Sequence, residues 1–129
     1  MSELTCLGLS VLLWLAHVLT QAFAARGEFG DAYLFTPRDA EPAVKGLAYG
    51  RATRALANYV ENYGPFIALT LALIATGQAG GLGAAGATIW IIARIIYLPI
   101  YLAGIIYVRT GLWAISVIGL LMMLYRLVV

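Results

Sequence analysis

The run Leu4–Ala25 contains no aspartate, glutamate, lysine or arginine. As a helix it would be about 33 Å long, enough to cross the ~30 Å hydrocarbon core of a bilayer. Three more apolar stretches follow, at about 47–76, 84–107 and 112–129. That pattern predicts an all-α chain, an integral membrane four-helix bundle forming one domain over residues 1–129. Composition agrees: 63% of residues are hydrophobic, 11% are charged and the mean hydropathy is +0.91, too apolar for a soluble domain. Met1-Ser2-Glu3 lacks a basic region and the first run is too long for a signal-peptide core, so it is expected to remain as a span.

Residues 26–46 form the only long polar segment. They hold Arg26, Glu28, Asp31, Arg38, Asp39, Glu41 and Lys45 together with Pro37 and Pro42. Mixed charge with proline reads as a surface loop, with Tyr33, Leu34 and Phe35 against the membrane interface. Gly77–Gly83 reads as a tight turn, and residues 108–111, containing Arg109-Thr110-Gly111, as a short connection. Arg26, Arg38, Lys45 and Arg109 fall in the first and third loops, whereas the opposite side offers Arg126. The positive-inside rule then puts loops 26–46 and 108–111 in the cytoplasm and both termini on the other side.

Polar residues inside the spans carry the functional information. In the second span Arg51, Arg54, Asn58 and Glu61 fall within an arc of about 80° of a helix. In the third, Arg94, Tyr97 and Tyr101 share an arc of about 60°. Ionisable groups in hydrocarbon cost a few kcal/mol or more unless paired or facing a wet cavity, so both stripes must face protein or a polar ligand. Glu61 and Arg94 lie at similar depth, and each is expected to pair with the other, within or between subunits. One subunit cannot bury both stripes, so self-association is expected. In the first span His17 and Gln21 share a face, with Gln21 nearer the polar loop. Cys6, the lone cysteine, reads as a packing residue.

Other chemistries lack their residues. With no CxxC, no HExxH and a single histidine, no metal site is expected. No phosphate loop follows a strand, and no basic footprint for nucleic acid is present. Antiparallel packing of the second and third spans would bring their stripes into one groove. Guanidiniums suit carboxylates and favour a thiolate, while Asn and Glu suit amides and an ammonium. A small zwitterionic peptide fits that set, and apolar walls facing lipid fit a lipophilic small molecule. The same groups also fit a purely structural role, bonding helices to one another.

The pattern Arg51-x-x-Arg54-Ala-x-x-Asn58-x-x-Glu61-x-x-x-Pro65-Phe66, with Arg94-x-x-Tyr97-x-x-x-Tyr101 and Arg109-Thr110, resembles the MAPEG family. These are the membrane-associated proteins in eicosanoid and glutathione metabolism. The resemblance implies a four-helix subunit, a homotrimer, and glutathione held between subunits near the cytoplasmic face. It implies a glutathione transferase or peroxidase activity on lipophilic electrophiles through an Arg-stabilised thiolate. Carried onto this chain, Arg109 and Thr110 are the expected catalytic residues. Arg51, Arg54, Asn58, Glu61, Arg94, Tyr97, Tyr101 and Gln21 are the expected glutathione contacts. Two readings stand beside it: a non-enzymatic membrane protein whose polar groove serves packing, and a small four-span drug/proton exchanger. The exchanger needs an acidic residue within the first span, and Leu4–Ala25 has none.

Overall fold

A computed structural model describes residues 1–129 as five helices and no strand: α1 (Glu3–Phe29), α2 (Asp31–Leu34), α3 (Leu47–Ala75), α4 (Gly81–Ala103) and α5 (Ile106–Val128). Helices satisfy their own backbone groups, which is what a chain this apolar requires in hydrocarbon. Three of them, α1, α4 and α5, are long and apolar enough to cross a membrane. The fourth long helix, α3, carries Arg51, Arg54, Asn58 and Glu61 along its first half and stands outside that set.

Local chemistry sets the helix ends. Ser2 caps α1 by accepting the Thr5 N–H at 3.2 Å, and Glu3 adds favourable charge in the first turn. The start of α3 has no side-chain cap of its own. Instead Glu28, from the end of α1, accepts the Gly46 N–H at 2.9 Å and also bonds the Lys45 N–H. A carboxylate at a helix N-terminus meets both unpaired donors and the helix dipole. Those two bonds hold the Glu28 carboxyl below its ordinary value of 4.5. A lowered value means the tether is fully present above pH 4.5 and is lost as pH falls through the lower folded value. Glu28→Gln should therefore speed amide exchange at Lys45 and Gly46 at neutral pH. Unchanged protection would show that the tether holds nothing in place.

The bundle core is aromatic. Phe66 and Trp90 stack at 3.9 Å between ring centroids, and Tyr59 stacks on buried His17 at 4.5 Å while donating to the Ser10 carbonyl at 2.6 Å. Cys6 is fully buried in the same core, its sulfur 3.9 Å from the Thr88 hydroxyl. Helices α4 and α5 approach closely where Gly86 faces Gly119: a Cβ at either residue would meet the other's carbonyl oxygen at 2.5–2.6 Å. Small residues allow such contact, and in a membrane close packing of this kind replaces the hydrophobic drive.

One boundary corrects the expectation from sequence. The connection after the third long helix lies at Gly104-Ile105, not at residues 108–111. Gly104 adopts φ 78°, its N–H reaches the Tyr101 carbonyl at 3.0 Å, and the Ile105 N–H reaches Ile100 at 3.2 Å. That left-handed glycine cap satisfies the last carbonyls of α4 and reverses the chain. Arg109 and Thr110 are consequently helical residues in the first turns of α5, not loop residues. The polar segment also begins later than 26, because α1 continues to Phe29, and it contains the single turn α2.

Candidate functional site

The polar residues of α3 and α4 meet the start of α5 along one open groove of about 410 Å³. Arg54, Asn58 and Glu61 line it from α3, Tyr97 and Tyr101 from α4, and Arg109 and Thr110 from α5. Helical phase explains the first two sets, because each occupies a single stripe of its helix. The turn at Gly104 explains the third, because it folds α5 back beside α4 with Arg109 facing the stripe.

The groove carries two cations and one carboxylate. The Arg109 guanidinium lies over the Tyr101 ring, 4.8 Å from its centroid, and it makes no ion pair. Cation–π contact of that kind holds a guanidinium in place without consuming its donors. Tyr97 and Tyr101 stand 5.5 Å apart, tilted by 51°. Glu61 and Arg54 are exposed in the single chain. Thr110 donates its hydroxyl to the Ile106 carbonyl at 3.1 Å, which leaves its oxygen as an acceptor toward the groove.

Arg94 sits behind this groove, not in it. It is fully buried, with its guanidinium 5.9 Å from the Trp90 ring centroid and 5.1 Å from that of Tyr97. Its Nη1 donates to Asn58 Oδ1 at 2.7 Å, while Nε and Nη2 have no partner. Within the chain Arg94 thus pairs with Asn58, and the chain's one ion pair is Arg26–Asp31 at the surface. The bond fixes the Asn58 side chain, and its amide nitrogen is left without a hydrogen bond inside the chain.

Two other predicted residues stand apart from the groove. Arg51 donates from Nη1 to the Leu102 carbonyl at 2.9 Å, close against Gly104. A guanidinium there caps the C-terminal carbonyls of α4 and favours its dipole. Gln21 lines a different cavity, under the 26–46 segment.

Two further residues line the groove, and Trp113 is the one the sequence reading missed. Ala57 lies on the α3 stripe between Arg54 and Glu61, where its small side chain leaves space. Trp113 is one helical turn beyond Arg109 and forms an apolar wall. Placing the turn at Gly104 is the signal that would have found it, since residues 109, 110 and 113 then share one helical face.

No curated protein and no solved structure matches the chain. The sequence profile described as MAPEG family matches residues 4–129, nearly the whole length. With its membrane-spanning helices, this chain belongs to the MAPEG family.

Proposed function

We propose that the groove binds glutathione and that the protein is a transferase or peroxidase acting on lipophilic electrophiles. The observation that carries this reading is the convergence of Arg54, Asn58, Glu61, Tyr97, Tyr101, Arg109 and Thr110 on one cavity from three helices. The donor set fits the ligand group by group. Arg54 suits a carboxylate, Glu61 an ammonium, and Asn58 with the two tyrosines suits peptide amides. Glutathione supplies a thiol whose thiolate is the nucleophile. Arg109 favours that charge at the sulfur, since a fixed cation lowers a thiol pKa from about 8.5. Thr110 adds a hydroxyl that donates a hydrogen bond to the thiolate when it turns from the Ile106 carbonyl, and Trp113 offers an apolar surface to the second substrate.

The groove is open on one side, and Glu61 and Arg54 are exposed there. Covering charged groups at membrane depth requires protein, so self-association with the groove at the subunit boundary belongs to the same reading, and the family resemblance implies three copies. With α3 as a fourth span, the 26–46 segment and the Arg109 end of the groove face the cytoplasm and both termini the other side.

Arg109→Ala is the direct test. The variant should keep its oligomeric mass in mild detergent and lose little stability, because a partly exposed cation–π contact contributes only about 0.5–1 kcal/mol. Wild type should develop ultraviolet thiolate absorbance when glutathione is added, and the variant should not. Wild type without that signal, or a variant that keeps it, would remove Arg109 from catalysis. One observation favours the second reading, a non-enzymatic protein using these groups for packing: Arg51 and Arg94 each spend a donor inside the chain. Calorimetry separates the two readings, since a packing groove gives no heat with glutathione up to about 10 mM.

A further inference from the structure

We infer that a second cavity, independent of the groove, binds the headgroup of a zwitterionic phospholipid. This cavity of about 370 Å³ lies where the last turns of α1 meet the 26–46 segment and the start of α3. Its floor is apolar, formed in part by Ala22 and Ala25 at the end of the first span. Three aromatic rings stand in its walls: Phe29 lies 5.5 Å from Tyr33 and meets Tyr49 edge-on at 4.8 Å. Gln21, Arg38 and Glu41 add polar groups, and Leu34, Pro42 and Val44 complete the lining.

The cavity is held in shape by its own segment. Tyr33 donates its hydroxyl to the Ala40 carbonyl, and Glu28 ties Lys45 and Gly46 to the end of α1. Arg38 has φ 59°, a left-handed conformation uncommon outside glycine. Its Nε and Nη2 both donate to the Leu34 carbonyl, at 3.2 and 3.1 Å, which anchors the guanidinium and leaves Nη1 unused. Glu41 forms no ion pair within the chain. A cation and an anion therefore line one aromatic cavity without neutralising each other.

Those groups specify the ligand class. An anchored guanidinium recognises phosphate, while a carboxylate beside aromatic faces recognises an ammonium. A purely anionic headgroup meets Glu41, and a purely cationic one meets Arg38, so each is disfavoured. A phosphate and an ammonium on one short linker satisfy both. Position supplies the source: the cavity opens where α1 leaves the hydrocarbon, the level of lipid headgroups, and its apolar floor suits the glycerol and first acyl carbons.

The test uses the full chain in detergent and three probes: short-chain phosphatidylethanolamine, short-chain phosphatidylglycerol and free phosphoethanolamine. Melting is followed by far-ultraviolet circular dichroism. At about ten times its Kd, the ethanolamine lipid should raise Tm by about 5 °C, and the glycerol lipid should do much less. Glu41→Gln should weaken binding of the ethanolamine lipid about tenfold and erase its advantage, because a charge-assisted contact is lost. Tyr49→Ala should weaken it as well, through loss of one ring face. Equal shifts with both lipids that neither variant alters would mean nonspecific solvation by lipid, and the proposal fails. Stabilisation by phosphoethanolamine at the same concentration as the lipid would overturn the lipid source and make the ligand a soluble zwitterion.

Discussion

Gly119→Ala should unseat α5 from α4 and lower the melting temperature by about 10 °C. The added methyl would lie 2.6 Å from the Gly86 carbonyl oxygen and 3.0 Å from the Trp90 nitrogen. Both are backbone atoms within a helix, so neither can rotate away, and the two helices must separate. Overpacking costs about 1–3 kcal/mol, and a clash with backbone belongs at the upper end. For a chain of this size that corresponds to several degrees per kcal/mol. Gly111→Ala is the matched control: it lies on the same helix and has nothing within 4 Å of the new methyl. There the higher helix propensity of alanine should leave stability equal or slightly improved. Equal melting of the two variants would show that the Gly86–Gly119 contact is not a limiting one. Because α4 carries Tyr97 and Tyr101 while α5 carries Arg109, the same substitution should widen the groove.

The second large effect concerns the buried guanidinium. Arg94 is fully buried and its one hydrogen-bond partner in the chain is Asn58. Asn58→Leu should cost about 2–3 kcal/mol, since it leaves a buried charged donor with no acceptor. Arg94→Leu should cost less, because an apolar side chain among Trp90 and Tyr97 needs no partner. The double variant should recover most of the Asn58→Leu loss, with a coupling of about 1–2 kcal/mol. Additive losses in denaturant or thermal melts would deny the coupling. Glu61→Gln supplies a further arm. A loss as large as that of Asn58→Leu would mean that Glu61 reaches an Arg94 across a subunit boundary.

What could be read from the sequence follows the range of each interaction. The helical class was legible because apolar runs near 20 residues admit few other structures. Arg54, Asn58 and Glu61 were legible as one stripe, and Tyr97 and Tyr101 as another, because helical phase is a local property. The turn was not. Arg109-Thr110-Gly111 looks like a break in an apolar sequence, while Gly104 sits among Leu102, Ala103, Ile105 and Ile106 without polar company. Its left-handed cap depends on one φ angle, and that error hid Trp113 as well. Arg51 looked like a ligand contact because its capping role exists only once α4 ends at Ala103. Glu61 looked like the partner of Arg94 on charge and depth, whereas within the chain that partner is Asn58. Asn58 and Glu61 share a stripe, and which of them meets Arg94 is fixed by how α3 is rotated in the bundle.

The turn at Gly104 makes chain length a chemical variable. Arg51 pins the end of α4, Gly104 reverses the chain, and Arg109 is the fourth residue of α5. Substitution in the groove changes the reagent at a fixed address. Insertion or deletion of one residue within Ile105–Val108 changes the address itself, turning everything beyond it by about 100°. A deletion would bring Thr110 to the position of Arg109 and Gly111 to that of Thr110; an insertion would bring Val108 there. A scaffold indexed in this way can trade a cation for a hydroxyl or a methyl without altering any residue it already has.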